Sequence, residues 1–265
     1  MTHYDEWSQG CRVFGRERHL MALFQQAERA AQGRFVMTRV VGHSGMGKTV
    51  LVQEFLRQLV AVRPESVVLQ GRCHERESLG FRVFDGIIDE LAVLLQHESP
   101  ALVRQIVPDH AEELVRLFPA LHEALSSVTP IVRAHAREVS AVEQRRLAFS
   151  ALLRLLSNLA RRRFLVIFAD DLQWADEDSR LLLRYLLQSS ASLSMFMIVS
   201  YRDDEPETLA LARTATSLSE RETPQEISVE PLRPEESRAM LEAALGQKHP
   251  IACIPLATGD GAPFP

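Results

Sequence analysis

Gly42, Gly45, Gly47, Lys48 and Thr49 fall within one eight-residue run, G-H-S-G-M-G-K-T (42–49). Three residues that weaken regular structure are followed at once by a cation and a hydroxyl. A loop that aims several main-chain N–H groups at one anion must carry little side-chain bulk. Glycine supplies both the small size and the unusual dihedrals. Gly42, Gly47, Lys48 and Thr49 meet the spacing G-x-x-x-x-G-K-[ST], and Gly45 is an additional glycine. In this reading the amides of Ser44, Gly45, Met46, Gly47, Lys48, Thr49 and Val50 encircle a triphosphate tail. Lys48 then reaches the β- and γ-phosphates, and the Thr49 hydroxyl ligates Mg²⁺. The plainer alternative is a glycine-rich turn that happens to precede a lysine.

Such a cradle needs a carboxylate from across the site to hold the metal. The run F-L-V-I-F-A-D-D (164–171) provides Asp170 at the end of six uncharged residues, in the first or second shell of the metal. Asp171, one residue on, is placed to orient or deprotonate an attacking water. The competing explanation is a strand that ends in a polar turn. Arg202, in S-Y-R-D-D-E (200–205), closes another apolar run and is a candidate γ-phosphate contact. Its alternative is a surface arginine paired with Asp203, Asp204 or Glu205.

These residues require strands that end together and a helix that begins at the loop. R-F-V-M-T-R-V-V (34–41) reads as a buried strand running into glycine. K-T-V-L-V-Q-E-F-L-R-Q-L-V-A-V (48–62) has apolar residues at helical spacing, and Pro64 stops it. Further strands are expected at 66–71, 164–170, 194–202 and 226–230, with helices over about 16–31, 176–187 and 234–245. Between the second and third strands lies a long helical section, broken by Pro100, Pro108, Pro119 and Pro130. Its apolar stripes are core packing. Strands alternating with helices indicate an α/β fold: a parallel five-stranded sheet flanked by helices. The expected organisation is an N-terminal tail (1–12), a core (13–230) with a helical insertion (72–160), and a further helical unit (231–265).

Composition narrows the alternatives. The chain has 265 residues, 46% hydrophobic and 25% charged, with a net charge of −5. That acidic balance argues against a general nucleic-acid surface, leaving direct nucleic-acid binding disfavoured. Cys11, Cys73 and Cys253 are few and far apart, without a disulfide framework or zinc spacing, and a reducing cytoplasm is expected. Cys73 and His74 are adjacent and suggest no metal site. No apolar run is long enough to cross a membrane. Arg161, Arg162 and Arg163 read as a solvated helix C-terminus. Trp174 is expected to pack its loop rather than stack on a base.

Four segments in this order carry a family resemblance: V-F-G-R-E-R-H-L (13–20), the glycine loop, D-D-L-Q-W-A-D (170–176) and S-Y-R-D-D-E. Together they resemble the AAA+-related P-loop ATPase module of STAND-class signalling NTPases, in the version found in multidomain bacterial Ser/Thr kinases and LuxR-type regulators. They are also similar to the ATPase domain of origin-recognition proteins. The resemblance implies a P-loop core with a helical lid, ATP and Mg²⁺ as ligands, and slow hydrolysis as a signalling switch. It places Val13, Phe14 and Arg16 near the adenine, Arg202 as a strand-end sensor, and Gly261 and Pro263 in a lid motif beside the base. The sequence ends at Pro265, where the lid's second helix begins in this family, which implies an incomplete lid. Asp171 stands where hydrolytic motors carry glutamate, which suits a slow switch. Implied partners are the nucleotide, other domains or proteins of a signalling assembly, and nucleotide-dependent copies of itself. The alternatives are a DNA-associated ATPase and a non-hydrolysing nucleotide scaffold.

Overall fold

The chain is described by a computed structural model over residues 13–73, 81–128, 140–189, 193–203 and 224–245. Helix α1 (Glu17–Ala31) leads into strand β1 (Val36–Val41), the glycine loop and helix α2 (Lys48–Val62). Strand β2 (Val67–Arg72) is followed by α3 (Arg82–His97), α4 (Pro100–Ile106), α5 (Ala111–Leu117), α6 (His122–Ser126) and α7 (Ala141–Ala160). Then come β3 (Leu165–Asp170), α8 (Glu177–Gln188), β4 (Met195–Tyr201), β5 (Gln225–Ser228) and α9 (Pro234–Leu245). The five strands form one sheet in the order β2-β3-β4-β1-β5, and every pairing is parallel. This is the expected P-loop NTPase-like architecture.

Alternation along the strands assigns each side chain to a face. Val36 and Val40 of β1, Val166 and Phe168 of β3, and Phe196 and Ile198 of β4 share one apolar cluster with α1 and α2. Met37, Ile167 and Met197 belong to the other cluster, which the helices between β2 and β3 cover together with α8. Both faces are therefore dry, which explains why β3 and β4 are buried at every position. The same parity puts Asp170 and Ser200 on the face where α2 runs.

The edge of the sheet at β2 is closed by α3. A Cβ built on Gly71 would lie 1.8 Å from the Val83 carbonyl oxygen, so strand and helix meet backbone to backbone. The Gln70 N–H, pointing away from the sheet, donates to the Glu90 carboxylate of α3. An edge that would otherwise offer a free donor is thus capped. Burial pushes the Glu90 carboxyl up to about 7, against the Gln70 hydrogen bond, which lowers it.

Boundaries depart from expectation by a residue or two. The first strand starts at Val36 rather than Arg34, and β5 occupies Gln225–Ser228 rather than 226–230. Strand β2 runs through Arg72, a residue the sequence reading assigned to the helical insertion. The tail at 1–12, His74, Pro130, Gly261 and Pro263 lie outside the described residues.

Candidate functional site

The C-terminal ends of β1, β3 and β4 converge on one edge of the sheet. At the end of β1 the chain enters the loop, where Gly45 and Gly47 have φ of 77° and 86°, in the left-handed region. Gly47 immediately precedes the first residue of α2. Among the described residues, the N–H groups of Ser44, Gly45, Gly47, Lys48, Thr49 and Val50 donate to no main-chain acceptor, whereas Met46 N–H makes a long contact of 3.5 Å to His43 O. Six such donors at the start of a helix make a set suited to an anion. Gly42 lies tightly against β5's exit, since a Cβ there would be 2.5 Å from the Val229 carbonyl oxygen.

Lys48 is buried, and its Nζ donates to Gly42 O at 2.7 Å and His43 O at 2.9 Å. An ammonium has three N–H donors, so one remains for a ligand. Burial draws its pKa below the ordinary lysine value; Asp171 opposes this, Arg202 adds to it, and Asp170 and Asp203 oppose it. Val50 is exposed on the first turn of α2.

Asp170 is the best-defined member of the site. It is 2% exposed. Thr49 Oγ1 donates to its Oδ2 at 2.8 Å, and Ser200 Oγ donates to Oδ1. Loop and carboxylate, which are 121 residues apart in sequence, therefore touch directly. Burial raises the Asp170 carboxyl above the usual range. Ser200 lowers it, Asp171 raises it, and Thr49 and Arg72 lower it. Register accounts for the flanking groups. Arg72 pairs with Asp170 across β2 and β3, and Ala169 pairs with Val199 across β3 and β4, which brings Ser200 alongside.

Asp171 adopts φ 56°, and its main-chain N–H donates to Ser200 Oγ at 3.0 Å. Its carboxylate accepts from Arg72 Nε and Nη2 at 3.1 and 3.0 Å, and from Gln173 Nε2 at 3.0 Å. Gln173, itself buried, also accepts the Arg202 N–H on Oε1 at 3.3 Å. The Arg202 guanidinium lies over the Trp174 ring, 5.6 Å from its centroid. Trp174 packs against the core and also carries Arg202. Asp203 pairs with His43 of the loop at 3.2 Å, not with Arg202.

Arg16 is 6% exposed, and its Nη2 donates to Met46 O at 3.1 Å and Glu230 O at 2.7 Å. Burial lowers its pKa, while Glu236 and Glu230 oppose the change. The guanidinium thus ties the loop to the segment beyond β5. Val13 and Phe14, just before it, are half-buried. Arg72, Ser200 and Gln173 were not singled out by the sequence reading. Arg72 and Ser200 sit at strand ends beside Asp170 through register, and Gln173 is on the turn after β3, so no local pattern marks them.

The profile of the AAA ATPase domain matches residues 12–200. The chain belongs to this family. Members of the AAA ATPase domain family generally bind ATP with Mg²⁺. No curated protein matches the sequence. Among solved structures, this AAA ATPase domain is similar to the ORC1 protein of Aeropyrum pernix in complex with DNA, with 16% identity, 90% of this chain and 51% of that chain covered, and a TM-score of 0.52. It is also similar to the Walker-type ATPase of Pyrococcus abyssi (17% identity, 89% and 59% covered, TM-score 0.46). A third is Drosophila ORC bound to AT-rich DNA and Cdc6 (12% identity, 91% and 32% covered, TM-score 0.45). The chain spans only 51% to 59% of the first two. At these identities the likeness concerns the fold alone. Among the described residues, no helix is long and apolar enough to cross a membrane.

Proposed function

We propose that this AAA ATPase domain binds ATP with Mg²⁺ in the loop at 42–49, hydrolyses it slowly, and serves as a switch module of a multidomain regulator. The observation that carries the reading is the Thr49–Asp170 hydrogen bond of 2.8 Å beside amides that lack main-chain acceptors. The donor set fits the ligand: six N–H groups and a lysine for phosphate oxygens, and a hydroxyl next to a buried carboxylate for the cation.

Each residue then has a definable task. The amides of Ser44, Gly45 and Gly47 through Val50 bind phosphate oxygens, and Lys48 adds its remaining N–H and its charge. Thr49, whose hydroxyl donates to Asp170, would hold Mg²⁺ through its oxygen. Asp170 would hold Thr49 in place and offset the charge of the cation. Asp171 is the group that orients water or takes its proton, and Arg202 is the γ-phosphate sensor. ATP with Mg²⁺ supplies the phosphoanhydride and the Lewis acid that offsets its charge. Arg16 positions the loop, with Val13 and Phe14 beside the base. The residues from 231 onward, including α9, serve as a lid.

Calorimetry and turnover assays on the wild type, Lys48→Ala and Asp171→Ala test the proposal. Lys48→Ala is expected to weaken Mg·ATP binding by at least about tenfold, the loss of one charge-assisted contact. Asp171→Ala should still bind but turn over more slowly. Unchanged affinity in Lys48→Ala refutes the nucleotide assignment. Equal background turnover in all three proteins, with ATP still bound by the wild type, makes the domain a non-hydrolysing scaffold. Turnover that rises on adding duplex DNA favours the DNA-associated reading instead.

A further inference from the structure

Gln173 is one of few polar residues buried in the interior: it is 7% exposed, on the short turn that follows β3. A buried amide side chain must satisfy both ends or cost stability. Gln173 does so with two groups of different standing. Its Nε2 donates to the Asp171 carboxylate at 3.0 Å, and its Oε1 accepts the Arg202 main-chain N–H at 3.3 Å. These neighbours belong to different strands, since Asp171 follows β3 and Arg202 follows β4. No main-chain pairing reaches that far, because the β3–β4 ladder ends at Ala169 and Val199. Ser200 also links these strand ends, but it bonds Asp170 and the main chain of Asp171 rather than the Asp171 carboxylate.

We infer that Gln173 is a positioning residue: a two-ended clamp that fixes the Asp171 carboxylate relative to the strand end bearing Arg202. The inference rests on the proposed hydrolytic reading for its consequence, though not for its geometry. Asp171 has a second partner in Arg72, and the two act from different sides. Arg72 draws the Oδ2 atom towards β2 and Gln173 holds Oδ1 towards β4. Loss of Gln173 leaves the carboxylate to Arg72 alone. A displacement of the Arg202 backbone, such as contact of its side chain with a ligand would cause, is passed by one amide to the acid. Trp174, the next residue, carries the Arg202 guanidinium, so the same turn holds both the main chain and the side chain of that arginine.

Two substitutions separate the ends of the clamp. Gln173→Leu removes donor and acceptor at similar volume, whereas Gln173→Glu keeps an acceptor for Arg202 and removes the donor to Asp171. Amide hydrogen exchange on nucleotide-free protein, resolved at Arg202, Ile198 and Val199, reports the Arg202 end. Calorimetry and turnover with Mg·ATP report the Asp171 end. Gln173→Leu is expected to speed exchange at Arg202 by about tenfold, as for one lost hydrogen bond, while Ile198 and Val199 stay protected. Gln173→Glu should retain slow exchange at Arg202. Both variants should bind Mg·ATP within about threefold of wild type yet turn it over at least about tenfold more slowly, the pattern of a lost transition-state interaction. Wild-type exchange at Arg202 in Gln173→Leu overturns the clamp, and so does wild-type turnover in Gln173→Glu. If the wild-type protein hydrolyses nothing, the hydrolytic reading fails by itself, and exchange at Arg202 still decides whether the clamp exists.

Discussion

At the scale of single residues, the site is held by hydroxyls and one amide more than by ion pairs. Ser200 is completely buried and makes two hydrogen bonds, donating to Asp170 and accepting from the Asp171 N–H. Replacing it with alanine takes the acceptor from the half-buried Asp171 N–H and one donor from the buried Asp170 carboxylate. Ser200→Ala is therefore expected to lose about 1–3 kcal/mol of stability in urea unfolding. It should also weaken Mg²⁺-dependent ATP binding, because Asp170 then keeps only one of the two hydroxyls that orient it. Equal urea midpoints for the two proteins would contradict this. The residues legible in the sequence were those whose type is unusual for their place: three glycines before a lysine, and two aspartates after an apolar run. Ser200, Arg72 and Gln173 are ordinary residues. They matter only because strand register and one left-handed residue bring them together, and neither is written in local composition.

At the scale of elements, β3 and β4 were readable because both faces of the sheet are dry there, so each is a long apolar run that leads into a charged residue, Asp170 and Arg202. Their ends were less readable: whether Arg72 extends β2 depends on its pairing with Asp170, which no local pattern encodes. The contact of α3 with the edge of β2 was likewise invisible, and it makes a specific demand. Gly71→Ala would place a methyl carbon 1.8 Å from the Val83 carbonyl oxygen, so strand and helix must separate. A loss of about 1–3 kcal/mol, seen as a lower melting temperature, is expected. Glu90, on the same helix, adds a pH dependence. Its folded-state pKa of about 7 lies above the ordinary 4.5, so between these values the folded protein binds more protons than the unfolded chain. Stability therefore falls as pH rises through that window. Glu90→Gln mimics the protonated form while keeping an acceptor for Gln70 N–H. It should stabilise the protein at pH 8 by on the order of 3 kcal/mol and flatten the pH profile between 5 and 7. An unaltered profile would show that Glu90 is not responsible.

At the scale of the whole molecule, the two apolar clusters share the sheet, and α2 anchors one of them to the site. Phe55, fully buried on α2, stacks edge-on against Phe24 of α1 at 4.9 Å and Phe196 of β4 at 5.9 Å. The helix that begins with Lys48 and Thr49 is therefore pinned by rings from two other elements. Phe55→Ala is expected to remove about 3–5 kcal/mol. That is a large part of the 5–15 kcal/mol typical of a domain, and it should show as a lower denaturant midpoint. An unmoved midpoint would mean that α2 is held by its other contacts.

The strand order has a further consequence. Strand β4 lies between β1, which delivers the loop, and β3, which delivers the acid. It is buried at all seven positions, so it works as a gauge block. Strands β1 and β3 therefore stand two strand spacings apart, roughly 9.6 Å, a distance that the main-chain hydrogen bonds on either side of β4 fix. Side chains along Met195–Tyr201 project onto the two faces of the sheet, so exchanging the apolar ones shifts the flanking helices and leaves the span that Thr49 bridges to Asp170 set by the backbone.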